Sequence, residues 1–178
     1  MIITTNRLTL RPIRPQDKMH LFRYRSDEQA NQYQSWVPKT EEEVEVFIEN
    51  NPLAFDISDT WFQLVVLLRE NEHLIGDLGV HFTGSQNQQV EIGFTLAKDY
   101  QRQGYATEAV KGLVDYLFSD LNKHRVTASI DPRNIPSIKL VERIGFRQEA
   151  HFKESLYFKG EWVDDVVYAL LRAEWGVK

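Results

Sequence analysis

Val90-Glu91-Ile92-Gly93-Phe94-Thr95-Leu96, followed by Gln101-Arg102-Gln103-Gly104-Tyr105-Ala106, is the stretch whose reading decides the fold. Val90, Ile92, Phe94 and Leu96 alternate with Glu91, Gly93 and Thr95, the period of a strand with one buried face. The glycine in its middle signals a bulge or a place where a ligand comes close to the backbone. Beyond the polar turn, Ala106, Ala109, Val110, Leu113, Val114 and Leu117 recur at helical spacing, with Glu108, Lys111 and Asp115 outside. A strand therefore feeds a helix whose first turn is built from Gly104 and Ala106. Small residues there present backbone N–H groups and the positive helix end to an anion such as a pyrophosphate. Arg102 can add a charge-assisted contact. A glycine where a helix begins is also an ordinary turn, so the segment alone leaves both readings open. Neither G-x-x-x-x-G-K-S/T nor G-x-G-x-x-G occurs.

The chain has 178 residues, one domain's worth and enough for a core without staples. No repeat, low-complexity tract or linker interrupts it, so residues 1–178 are expected to form a single domain. The net charge of -5 argues against general nucleic-acid binding and favours a cationic acceptor. Cysteine is absent, which excludes disulfides, thiolate metal sites and a cysteine nucleophile. Met1-Ile2-Ile3-Thr4-Thr5 lacks the basic-then-apolar pattern of a signal peptide, and no apolar run reaches membrane length. A cytoplasmic protein without membrane partners is the expectation.

Taken in order, Arg7 to Ile13 alternates as an opening strand, and Pro15 and Asp17 introduce a helix carrying Met19, Leu21 and Phe22. Asn31 to Pro38 is a loop bearing Tyr33 and Trp36. Thr40-Glu41-Glu42-Glu43 has the form of a capping box opening a helix through Val44, Phe47 and Ile48. Trp61–Leu68, Leu74–Phe82 and the organising strand, joined by turns at Asn71-Glu72 and Gly84 to Asn87, form an antiparallel meander. After the long helix, Arg125–Ile130 is a further strand, and a helical crossover places it parallel to the organising one. Asn134 caps a short helix with Ile138, Val141 and Ile144, Gly145 closes it, and Phe146 returns to the core. Leu156 to Phe158, a turn at Lys159-Gly160, and Val163 to Leu170 close the chain as a hairpin.

Gln101 to Ala106 resembles the Q/R-x-x-G-x-G/A acetyl-CoA signature of the GNAT superfamily of N-acetyltransferases. The flanks Glu91-Ile92-Gly93-Phe94 and Ala106-Thr107-Glu108-Ala109 resemble its branch that acetylates the N-termini of ribosomal proteins. Asn134 to Ser137, with Gly145-Phe146, resembles the family's second segment, N-x-x-S…G-F, in the right order and one strand further on. The resemblance runs over essentially the whole chain. It implies an α/β (α+β) fold: a central mixed, mostly antiparallel sheet, splayed at its parallel strand pair, with helices on both faces. It also implies that Phe94, Thr95 and Leu96 line the pantetheine arm of acetyl-CoA. Gln101, Arg102, Gln103, Gly104, Tyr105, Ala106 and Thr107 would then hold the diphosphate, and Asn134 and Ser137 border the thioester.

The chemistry implied is acetyl transfer to a primary amine. Without cysteine no thioacyl-enzyme relay exists, so direct attack in a ternary complex is expected. An α-amino group of pKa ~7.8 is roughly a tenth neutral at pH 7, whereas a lysine-type amine of ~10.4 is neutral in only a few parts in ten thousand. Glu91 resembles the glutamate from which some family members run a water-mediated base; a solvated strand residue is its plain alternative. Many members place a tyrosine acid where this chain has Val141, which leaves Ser137 to protonate a thiolate of pKa ~8.5. Tyr33, Trp36 and Tyr157 are candidates to wall the acceptor pocket, and equally candidates for core or dimer contacts. His20, His73, His81, His124 and His151 show no metal-ligand spacing and read as structural, with no metal expected. The acceptor is a peptide N-terminus or a small molecule such as a polyamine, and a non-catalytic acyl-CoA-binding module is the rival class. A homodimer is common in the resembled branch.

Overall fold

The computed structural model describes residues 1–176. Five strands come first in space: β1 (Ile3–Thr4), β2 (Leu8–Pro12), β3 (Thr60–Leu68), β4 (Leu74–Thr83) and β5 (Gln89–Leu96). Each pairs antiparallel with the next. β6 (Arg125–Ile130) then lies parallel to β5, and the hairpin of β7 (Arg147–Phe158) and β8 (Glu161–Leu171) completes the order β1-β2-β3-β4-β5-β6-β8-β7. The mixed, mostly antiparallel sheet expected from the sequence is present. Among the described residues no helix is long and apolar enough to cross a membrane.

Helices cover both faces. α3 (Tyr105–Ser119) buries Ala109, Val110, Leu113, Val114 and Leu117 of the expected stripe and adds Phe118, while Ala106 is only partly buried. With Leu140 and Val141 of α4 (Ile135–Ile144) they pack on Leu64, Val66, Val80, Phe82, Val90, Ile92 and Val126. A second cluster lies on the opposite face. Leu21 and Tyr24 of α1 (Lys18–Arg25), with Val44 and Ile48 of α2 (Glu41–Glu49), cover Val65, Leu67 and Leu74. Thr40 caps α2 by accepting the Glu43 N–H at 3.3 Å, but the Glu43 carboxylate takes the Lys39 N–H at 2.8 Å, one residue outside the expected capping box.

Three local expectations need correction. β5 pairs with β4 in unbroken register, so Gly93 makes no bulge; the register shifts lie between Val66 and Leu67 and within β7. α1 leaves Met19 exposed and buries Tyr24 and Arg25 instead. β7 begins at Arg147, nine residues before Leu156, because an edge strand exposed on both faces carries no apolar alternation to betray it.

The buried charge of α1, on Arg25, is paired with a buried carboxylate. Asp77 on β4, fully buried, accepts from Tyr24 Oη at 2.5 Å, from Arg25 Nε at 3.0 Å, and also from Arg25 Nη2 and Gln63 Nε2. Burial opposes the charge on Arg25, but Asp77 outweighs it and holds the guanidinium above its ordinary range. Burial, reinforced by Asp77, pushes the Tyr24 hydroxyl well above its usual value. Removing one member of such a buried pair strands the other, at about 3–5 kcal/mol. Asp77→Ala is therefore expected to lower the unfolding free energy by that order in urea titration. Glu45→Ala, which breaks only the exposed Lys18–Glu45 pair, should leave the midpoint unmoved.

Candidate active site

The parallel ladder between β5 and β6 has three residue pairs, Gln89↔Arg125, Val90↔Val126 and Glu91↔Thr127, and then stops. Beyond it β5 stays with β4 as far as Leu96, and β6 stays with β8 as far as Ile130. The two strands therefore separate, each held by its other neighbour. Strand alternation says which peptide groups this exposes. The Ala97 N–H donates to the Ile75 carbonyl on β4 at 2.8 Å, so residues of odd number address β4. Ile92, Phe94 and Leu96 direct their N–H and C=O groups into the gap. Two side chains reach these carbonyls: Gln34 Nε2 donates to Phe94 O at 3.4 Å, and Gln101 Nε2 to Leu96 O at 2.9 Å. Of the expected apolar face, Val90 and Ile92 are buried, whereas Phe94 and Leu96, flanking the gap, are only partly so.

Helix α3 starts at the C-terminal end of β5, and α4 at that of β6, so both N-termini lie at the mouth of the gap. Gly104 precedes α3 with φ 83° and Arg102 has φ 61°, left-handed conformations that turn the chain sharply and suit glycine best. Gln101, Arg102, Gln103 and Gly104 are exposed. Glu108, placed on the outside of the helix by its spacing, instead ties this turn to the start of the chain. It accepts from Thr5 Oγ1, the Arg7 N–H and Arg7 Nε, each at 2.7 Å. Arg7 in turn donates to Gln103 O at 3.1 Å and lies 4.3 Å from the Tyr105 ring centroid. The only sequence signal for this clamp is a glutamate in a first helical turn, which is common everywhere.

In the second motif Asn134 Oδ1 accepts the Ser137 N–H at 3.4 Å, as a cap. Gly145, with φ 117°, closes α4 through bonds from its N–H to Glu142 O at 3.0 Å and from the Phe146 N–H to Val141 O at 3.0 Å. Val141 is fully buried in the core. Asn134 and Ser137 are half-buried, and among the described residues none engages the Ser137 hydroxyl.

The opposite side of the gap carries Glu91, Gly93 and Thr95, with space before Gly93 for a further atom. Thr95 Oγ1 is buried without a partner among the described residues. Tyr33 reaches the mouth, where its hydroxyl donates to Arg133 O at 3.3 Å, and Lys159 Nζ joins the same loop to the closing hairpin at Gln32 O, 3.0 Å. Trp36 stacks on Phe47 at 4.1 Å, and Tyr157 projects from the hairpin beside Trp162.

A strand pair that opens at the feet of two helices, one entered through a glycine turn, leaves room for an extended ligand beside backbone donors and acceptors. A family model for the acetyltransferase (GNAT) domain matches residues 7–147. The chain is 34% identical over 175 residues to the uncharacterised N-acetyltransferase YnaD of Bacillus subtilis (strain 168), covering 98% of this chain and 99% of that one. A crystal structure of a GNAT-family acetyltransferase from Bacillus anthracis matches with TM-score 0.89 at 30% identity, over 98% of this chain and 100% of that one. A ribosomal protein uS5 alanine N-acetyltransferase of Escherichia coli (strain K12) is 31% identical over 84 residues, 47% of this chain and 43% of its own. The chain belongs to the GNAT acetyltransferases and is an acetyl-CoA-dependent N-acetyltransferase.

The Glu108 clamp yields a pH test. Burial works against its charge, but hydrogen bonds from Thr5 and Arg7 prevail and hold the carboxyl below its ordinary range. A lowered carboxyl stabilises the fold above its unfolded pKa, and that stability is lost as pH falls through the folded value. Glu108→Gln is expected to destabilise by about 1–2 kcal/mol at pH 7. The gap between the thermal midpoints of variant and wild type should begin to narrow below about pH 4 and close as the pH falls past the folded carboxyl's lowered value.

Proposed function

We propose that this enzyme acetylates a protein N-terminal α-amine by direct attack within a ternary complex. The observation that carries the proposal is the ladder ending at Glu91↔Thr127, which leaves the peptide groups of Phe94 facing an open gap. The coenzyme, when bound, supplies an acetyl group activated as a thioester. Its arm is accommodated by Phe94, Thr95 and Leu96. The turn Gln101, Arg102, Gln103, Gly104 and Tyr105, continued by the N–H groups of Ala106 and Thr107, holds the diphosphate through backbone donors and the helix dipole.

The Phe94 N–H faces the position where negative charge develops on the carbonyl oxygen, a type of contact that contributes roughly 3–4 kcal/mol. Glu91, on the acceptor side, takes a proton from the amine, and Asn134 and Ser137 border the departing sulfur, with the Ser137 hydroxyl as donor. Tyr33 edges the acceptor entrance. Among the described residues, none ties the Ser137 hydroxyl to a structural task. The relative that acts on an N-terminal alanine, together with the small help an α-amine needs from a base, favours this acceptor over a polyamine.

Because the chain contains no cysteine, a thiol reagent reports only liberated coenzyme. Acetyl-CoA should raise the thermal midpoint, and thiol should appear with N-terminal peptides faster than with polyamines. The reverse order assigns a small-molecule acceptor, and stabilisation without thiol release from any amine assigns a binding module. Ser137→Ala is expected to slow turnover roughly tenfold without abolishing it; a loss to background contradicts its role as an assisting donor.

A further inference from the structure

Three carboxylates are buried among the described residues, and two of them have a cation of their own. Asp17 pairs with Arg11 at 2.7 Å, and Asp77 with Arg25. Asp165 on β8, only 9% exposed, has just the Ser129 hydroxyl, which donates to its Oδ1 at 2.7 Å. Its Oδ2 accepts from none of the described residues, yet unlike the sealed and partnerless Thr95 Oγ1 it keeps contact with solvent. Val163 and Val167 flank Asp165 on the same face of β8, and Phe152 pairs with it from β7. The cations of the surrounding loops are engaged elsewhere. Arg133 is held by Asp131 at 2.6 Å and Glu161 at 2.9 Å, and Lys159 donates to Gln32 O at 3.0 Å. Asp164 points to the other face, where His151 and Lys153 hold it at 2.7 and 2.8 Å. A carboxylate withdrawn from water without a counter-ion costs stability, and functional sites are where such a cost is retained.

The position of Asp165 agrees with this. Continuing the last parallel pair, Glu91↔Thr127, by two residues sets Ser129 abreast of Gly93, on opposite lips of the opening. By alternation Gly93, Ser129 and Asp165 share one face of the sheet. Ser129 is exposed, and a Cβ at Gly93 would meet nothing within 4 Å. Gly93 therefore sends no side chain across the row that leads to Ser129 and Asp165, and Phe94 is the next residue on β5.

We propose that Asp165, oriented by Ser129, receives the ammonium of the acceptor. The proposal rests on the acetyltransfer reading and names the group that recognises its amine. Oδ2 accepts one N–H, and Ser129 Oγ, whose own proton goes to Oδ1, accepts a second through a lone pair. An ammonium nitrogen about 2.9 Å from each satisfies both. No covalent bond forms or breaks in this step, which fixes the nitrogen before Glu91 takes its proton.

Asp165→Asn keeps the shape and an oxygen for the Ser129 hydroxyl but removes the charge. With the amine that releases thiol fastest, KM for the acceptor is expected to rise at least about tenfold, with kcat within about threefold and the stabilisation by acetyl-CoA unchanged. Because no cation of the described residues pairs with Asp165, the thermal midpoint of the free protein should not fall. An unmoved KM, a loss confined to kcat, or a lowered midpoint (failure to fold included) overturns the proposal. On the unaltered enzyme, the same acceptor with its reacting amine dimethylated, still a cation, should compete at least about tenfold better than the analogue with hydrogen in place of the amine. Equal competition also overturns it. A preference for polyamines overturns the α-amine reading and leaves this test standing, whereas thiol release from no amine ends both.

Discussion

The architecture depends on a seam of three residue pairs. Strands β1 to β5 form one antiparallel set and β6 to β8 another, and among the described residues the strand pairing between them runs over Gln89–Glu91 and Arg125–Thr127. So short a parallel ladder contributes little, since each hydrogen bond is worth on the order of 1 kcal/mol net. Apolar burial contributes more. Val90 and Val126 at the seam are fully buried, Ile92 nearly so, and burying each is worth about 1.5–3 kcal/mol. α3 packs on the first half, α4 on β6 and on α3, and all belong to one apolar cluster. The sheet can therefore open beyond Glu91 without separating, because hydrophobic packing on one face holds what the backbone ladder has released.

The other face of the opening is shaped by charge. Asp77 anchors Arg25, Arg25 Nη1 donates to Gln34 Oε1 at 3.4 Å, and Gln34 donates in turn to Phe94 O. A buried ion pair in β4 and α1 is thus linked by one side chain to the strand edge that faces the gap. Lys159 and Tyr33 fasten the same loop to the hairpin and to the loop after β6. The side of the gap proposed for the acceptor is assembled from distant parts of the chain, and its geometry depends on polar contacts rather than on a contiguous apolar surface.

This difference explains what is legible in the sequence. The strand–turn–helix of β5 and α3, the Asn134 cap and the Gly145 closure are local: dihedral preferences and helix periodicity express them within a few residues, and the structure has them where expected. The Glu108 clamp is invisible in the sequence because its partners, Thr5 and Arg7, lie a hundred positions away. Tyr24 and Arg25 escape notice as buried residues because a charged side chain is placed inside only by its partner, and Asp77 sits on another element. Trp36 and Tyr157 share an aromatic character that spacing cannot turn into a location. The histidines read as structural from the absence of ligand spacing, a test that finds metal sites and is blind to a cross-strand neighbour such as Glu91.

The same asymmetry bears on the chemistry. Freeing an α-amine of its proton at pH 7 costs about 1 kcal/mol, whereas a lysine-type amine costs about 4.6 kcal/mol. A site that must supply the larger sum needs strong desolvation or several fixed charges around the nitrogen. The face proposed here for the acceptor carries a carboxylate, a neighbouring imidazole and an indole, beside open space at Gly93. That is modest equipment. It matches an acceptor that arrives partly neutral and needs placement more than activation, which is why the α-amine reading and the geometry of β3, β4 and β5 support each other.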